Sequence, residues 1–166
     1  DSNWKVNGGA TIKTNSDIFQ LESDFNQDLN GDGSIGASYT QIENKGSVSF
    51  FKDSQGFVFV QKSGGSKIAI TRPNNSKVNY QDGSWNLIAA DTISGNNHAI
   101  WKSGNTIYRW DLDSNWKVNG GATIKTNSDI YDLESDFNQD LNNDSLIRPK
   151  EKLFTPNVIN YEMHDL

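Results

Sequence analysis

The chain contains no cysteine, which excludes disulfides, a thiolate nucleophile and any cysteine-held zinc or iron–sulfur centre. Its two histidines, His98 and His164, lie far apart without ligand spacing, so a histidine-based catalytic zinc is not expected either. Basic residues are in the minority: 15 Lys and Arg against 21 Asp and Glu leave a net charge of −6. With no basic stripe to follow phosphates, nucleic acid is not an expected partner. Apolar runs are short, so no membrane span is expected. Hydrophobic residues make up 34% and mean hydropathy is −0.70, little for a compact enzyme core. The deficit is offset by five Trp, five Tyr and eight Phe, because each aromatic buries a large area. That balance points to a thin, sheet-rich fold.

What the sequence has in abundance is itself. Residues 1–30 return as residues 113–142, 112 positions later, with 28 of 30 identical. Only Phe19/Tyr131 and Gln20/Asp132 differ. The chain therefore reads as a window on a longer array. In each copy a Gly-Gly pair separates two strand-like pieces, 3–6 and 10–13 in the first. A helix follows, with Ser16 as its expected N-cap, Asp17 near its positive end, and Ile18, Leu21 and Phe25 at helical spacing. It should end near Asp28, where an acceptor-rich run opens.

That run, DLNGDGSIG, has the register of an EF-hand-like calcium loop. Asp28, Asn30 and Asp32 stand at positions one, three and five, with Gly33 at the bend. Ser34 offers a backbone carbonyl, and Ile35 is expected to pack inward. A hard cation needs several oxygens, and a tight loop lets alternate side chains converge on one. The competing reading is a plain polar turn. Position twelve, usually a bidentate glutamate, is Tyr39, and position nine is Gly36. Completion must come from outside the loop, with Glu22, Asp24 and Glu43 as candidates, or from water. The expected ligand set is Asp28, Asn30, Asp32, Ser34 and Glu22, with Ca2+ bound weakly. The second copy keeps Asp140, Asn142 and Asp144 but has Asn143 and Ser145 where the first has Gly31 and Gly33. Serine at the bend must adopt a backbone that glycine takes without strain, and Arg148 adds positive charge. Weaker binding or none is expected there, as in a degenerate terminal repeat.

Between the copies, segments 47–52, 57–62, 67–71, 85–93, 99–102 and 106–112 are rich in aromatic and β-branched residues. Turn signals such as Asp53-Ser-Gln-Gly56, Pro73-Asn-Asn75 and Gly95-Asn-Asn97 separate them. Short connections of this kind predict an antiparallel meander. The fold class expected is α+β, predominantly β, with one helix and calcium loop per repeat. The divisions are 1–39 (helix–loop, first copy), 40–112 (β region), 113–148 (helix–loop, second copy) and 149–166 (a C-terminal tail).

Several stretches agree in order with one family pattern: W-x-x-I/L-A-A at 85–90, A-x-W-K at 99–102, W-x-x-D-S-N-W at 110–116, and E-x-x-F-x-x-D-L-N-G-D-G-x-I-G at 22–36. Together they make residues 1–148 resemble the tryptophan-rich C-terminal domain family first noticed in cyanobacterial proteins. The resemblance implies a large secreted or surface bacterial protein, modules in tandem, and a role in adhesion, sheath or filament rather than catalysis. The loop alone is also similar to dockerin, whose two loops share one short module; here they stand 112 residues apart.

Trp85, Trp101, Trp110 and Trp116 admit two readings, a sugar-stacking platform or the core of a thin sheet domain. Their neighbours Ile88, Ile100, Ile107 and Val118 favour core. The pairs Asp111/Asp113 and Asp82/Asp91 have the chemistry for acid–base work, but strand-end aspartates are commonly turn formers. No nucleophile elbow or phosphate loop appears. The function expected is a non-enzymatic, calcium-binding structural or adhesion repeat at the cell surface or outside it. Its expected partners are neighbouring repeats or like chains, assembled head to tail when the end of one pairs with the sheet of the next. The alternative is a carbohydrate-binding module whose surface Trp and Tyr grip polysaccharide.

Overall fold

The computed structural model describes Gly9, Thr11 and residues 14–147. The strand pieces expected at 3–6 and 10–13, Arg148 and the 149–166 tail lie outside the described residues. Helix α1 (Asn15–Phe25) comes first, then four strands form one sheet: β1 (Tyr39–Glu43), β2 (Val48–Asp53), β3 (Val58–Lys62) and β4 (Ile68–Ala69). Five more form a second sheet: β5 (Gln81–Asp82), β6 (Trp85–Ile93), β7 (Asn96–Ser103), β8 (Thr106–Leu112) and β9 (Val118–Ile124). Helix α2 (Asn127–Phe137) follows. Both sheets are antiparallel meanders in sequence order, so the fold is α+β with β dominant, as expected. What the pattern did not separate is that the strands divide between two sheets.

The layering follows from the two-residue period of a strand. On one face of the second sheet Leu87, Ala99, Trp101 and Leu112 meet Phe50, Val58, Val60 and Ile70, forming the core between the sheets. On its other face Ala89, Ile100 and Ile107 meet Leu133, Phe137 and Leu141 of α2 and the segment after it. The order is sheet, sheet, helix, with apolar side chains at both junctions. A polar tie also joins the sheets. Asp91 of β6 is buried and accepts from Ser47 N at 2.8 Å and Thr92 N at 2.7 Å. Glu43 of β1 lies near it, bonded to Lys45 N, and burial pushes its carboxyl up, with Asp91 adding to the shift.

Several boundaries differ from the sequence reading. Strand β7 starts at Asn96, not 99, because the turn is only Ser94-Gly95, both at positive φ (49° and 84°). This is the two-residue turn that matches strand twist. Buried Asn97 belongs to the strand and donates to Asp113 O at 2.8 Å. In the second copy Gly120-Gly121 does not divide two strands; both lie inside β9. A Cβ at Gly121 would approach Arg109 O to 2.5 Å and Tyr108 Cε1 to 2.8 Å, so glycine is what lets β9 pair closely with β8. Trp116 sits in a turn, not a strand. It takes a left-handed φ of 61° and is 1% exposed. Its place corresponds to Gly56 in the similar Asp53 turn, where Asp53 and Asp113 each accept from the amides two and four residues on. Burying an indole outweighs a strain of about 1–2 kcal/mol.

Candidate functional site: paired helix–loops and an aromatic cavity

Helix α1 is capped two residues upstream of its expected cap. The N-cap is Thr14, not Ser16, and Asp17 three residues on completes a reciprocal capping box. Two donors are satisfied at once by that pairing, which draws the start upstream. Thr126 caps α2 by accepting from Asp129 N. The helices stop at Phe25 and Phe137, short of Asp28, because Asn26 and Asn138 turn left-handed (φ 51° and 50°). Asparagine is one of the few side chains that tolerates that conformation.

The chain past each helix folds back as a chain of side-chain-to-backbone bonds. Asp28 Oδ1 and Oδ2 accept from Gly31 N (2.7 Å) and Gly33 N (2.9 Å). Asn30 Oδ1 accepts from Asp32 N (2.8 Å), and Asp32 Oδ1 from Ser34 N (2.9 Å). The N–H of Gly33 holds the Asp28 carboxyl below its ordinary value against a smaller opposing effect of burial, and the N–H of Gly31 adds to the lowering. The structure thus gathers Asp28, Asn30, Asp32 and Ser34 into one loop. Glu22 lies beneath them with no exposed surface. Its Oε1 accepts from Leu29 N and Asn30 N, and its Oε2 from Gly36 N at 2.9 Å. It clamps the loop's backbone to the helix, a role that spacing alone did not suggest. Asp24 accepts from Gln20 on the helix surface, and Glu43 belongs to the junction of the sheets. Ile35 does not pack inward: it is 50% exposed.

The second loop repeats this arrangement. Asp140 accepts from Asn143 N (2.6 Å) and Ser145 N (2.8 Å), Asn142 from Asp144 N (2.7 Å), and Asp144 from Leu146 N (2.9 Å). Asn143 and Ser145 both take φ 67°, close to the 76° and 85° of Gly31 and Gly33. Buried Glu134 again accepts through Oε1 from Leu141 N and Asn142 N, whereas its Oε2 has no partner among the described residues. Among the described residues no three His, Cys, Asp or Glu side chains gather as a metal site. A cation in either loop would draw on two carboxylates, an amide oxygen, carbonyls and water, a hard, all-oxygen set suited to Ca2+.

The tryptophans divide between the two readings. Trp101 and Trp116 are core. Half-buried Trp85 and Trp110 line a cavity of about 210 Å³ with Trp101, Tyr108 and Asp82. Arg72 bonds Asp82 at its rim (3.1 Å), with its guanidinium 5.9 Å from the Trp110 ring. The Trp101 indole N–H, in the cavity wall, has no acceptor among the described residues. The paired carboxylates have other partners: Asp111 takes His98 and Arg109, Asp113 holds a turn, Asp82 takes Arg72 and Asp91 takes Ser47. No helix among the described residues is long and apolar enough to cross a membrane.

Two packed antiparallel sheets, a helix on the outer face and a tryptophan-lined cavity define a tryptophan-rich β module. The sequence model of the tryptophan-rich Synechocystis species C-terminal domain matches residues 48–148, more than half of the chain, and the protein belongs to that family. The match begins at β2 and ends just past the second loop. No curated protein and no solved structure matches the chain.

Proposed function

We propose that the chain is a non-enzymatic, calcium-binding structural module of a larger bacterial protein outside the cell or on its surface, where like modules in series serve adhesion or build a fibre. The observation that carries this reading is the conformation shared by the two loops. The second lacks both glycines yet keeps the same turn: Asn143 is a residue that tolerates left-handed backbone, and Ser145 takes it at a cost of about 1–2 kcal/mol. The same turn in both copies keeps oxygen side chains at alternate positions, which is the spacing a hard cation uses. Calcium would act mechanically, neutralising Asp28 and Asp32 and fixing the loop that Glu22 ties to the helix. Calcium titrated into chelator-stripped protein is expected to bind with a Kd of about 10⁻⁴–10⁻³ M, the range of extracellular modules. No heat at millimolar calcium would reduce both loops to turns.

The cavity favours a second reading, a polysaccharide-binding module. Flat apolar rings with a carboxylate and a guanidinium at the rim suit the apolar face and hydroxyl edge of a sugar. On this reading a glycan array gives binding that Trp85→Ala and Trp110→Ala each weaken at least tenfold. Retention of full binding by both variants, or no binding to neutral and acidic glycans, would retire it.

A further inference from the structure

The two helices share a sequence but not a setting. In α2 and the residues after it, Phe137 is 2% exposed and Leu141 0%, both against the outer face of the second sheet. Their counterparts Phe25 and Leu29 are 69% and 46% exposed. Leu21 is half-buried where Leu133 is buried. Every apolar side chain with which α2 and the segment after it meet the sheet (Ile130, Leu133, Phe137 and Leu141) has an identical residue in the first copy: Ile18, Leu21, Phe25 and Leu29. So α1 carries a complete docking face with no sheet beneath it among the described residues. An apolar stripe of this width is normally covered.

The other side of α1 faces its own chain across a cavity. Phe19, Gln20 and Ser23 line a cavity of about 220 Å³ with Ala37, Tyr39, Asp53 and Phe59 beside the first sheet. The helical period puts these residues opposite Leu21 and Phe25. Both differences between the copies, Phe19/Tyr131 and Gln20/Asp132, fall on this second side. The docking face is unchanged.

We propose that α1 is the closing helix of a copy of the module placed N-terminal to it. Its bare face seats on that copy's five-stranded sheet, at residues equivalent to Ala89, Ile100 and Ile107. The polar contacts at the seat are the same as for α2: a lysine like Lys102, which here donates to Leu141 O at 2.6 Å, would meet Leu29 O. Each such helix is then a joint, with one side on the sheet of the module before it and the other against the first sheet of the module after it. The module repeats every 112 residues and is counted from the first strand to the second helix, not from helix to helix. This assignment is independent of calcium.

The test is a tandem protein in which residues 1–112 precede the full chain, read by amide hydrogen exchange. The inner copy of residues 15–25 should exchange roughly 100-fold more slowly than α1 of the single chain, approaching α2 in the same sample. Phe25→Asp in the inner copy should remove that protection, while the same change in the outermost copy leaves exchange of the inner helix unaltered. Helix α2 serves as the internal reference for folding. An inner helix that exchanges as fast as in the single chain, with α2 still protected, would overturn the proposal, as would an inner Phe25→Asp without effect.

Discussion

Phe137→Ala should lower the unfolding free energy by about 3–5 kcal/mol, while Phe25→Ala should change it by less than about 0.5 kcal/mol. The two phenylalanines sit in the same local sequence, Glu-Ser-Asp-Phe-Asn-Gln-Asp, so helix propensity and C-capping change equally in both variants. The difference is tertiary. Phe137 fills the junction of α2 with Ile100 and Ile107, and truncating it leaves a void that rigid strands cannot close. Phe25 has mostly water around it. For a chain of this size the first change corresponds to a fall in Tm of roughly 6–20 °C, and the second to almost none. Paired thermal melts check this. Equal losses at both sites would mean that α1 is also docked in the single chain.

Gly46→Ala should cost about 3 kcal/mol or more, a large effect for one methyl on an exposed turn. Gly46 is not in left-handed backbone, so glycine's conformational freedom is not the reason. A Cβ there would land on the Asp91 carboxylate. Asp91 cannot easily move, since it is buried and accepts from Ser47 N and Oγ across the sheets. Hydrogen bonds to a charged group contribute roughly 1.5–3 kcal/mol each, and displacing the carboxylate breaks two of them. Urea unfolding should show the midpoint shift without a change in slope. A Gly46→Ala protein as stable as the parent would show that the sheets are not tied at this point.

The sequence was most readable where the rules are local. Strands β6 and β8 begin and end where their aromatic and β-branched runs do, and two-residue turns join them to β7 between them. Errors arose where a distant partner overrode local chemistry. Asn96-Asn97 looks like a turn until Asn97 is seen bonded to Asp113 and Thr92. Gly120-Gly121 looks like a break until the close approach of Arg109 and Tyr108 explains it. Strand β1 was missed because its first three residues are exposed and mixed in character, leaving no alternation to follow.

The site divides in the same way. The alternate oxygens of Asp28, Asn30 and Asp32 are a local pattern, and the structure places all three in one loop, each bonded to a backbone amide. The function of Glu22 as a clamp was hidden, because a buried carboxylate that accepts three backbone amides looks in sequence like any helix-surface glutamate. The tryptophan platform was legible only as one of two readings, since the cavity depends on Trp85 of β6 and Trp110 of β8 lining it together with Trp101 of the strand between them. Hardest of all was the unequal setting of α1 and α2. Identical residues cannot reveal which copy has a sheet to lie on.

Calorimetry with loop variants decides whether the alternate oxygens of the two loops bind calcium. Calcium titrated into Asp28→Ala/Asp32→Ala should leave only the weaker heat of the second loop, and adding Asp140→Ala/Asp144→Ala should remove that too. Binding heat that persists unchanged in the fourfold variant would place the ion elsewhere and leave both loops as plain turns.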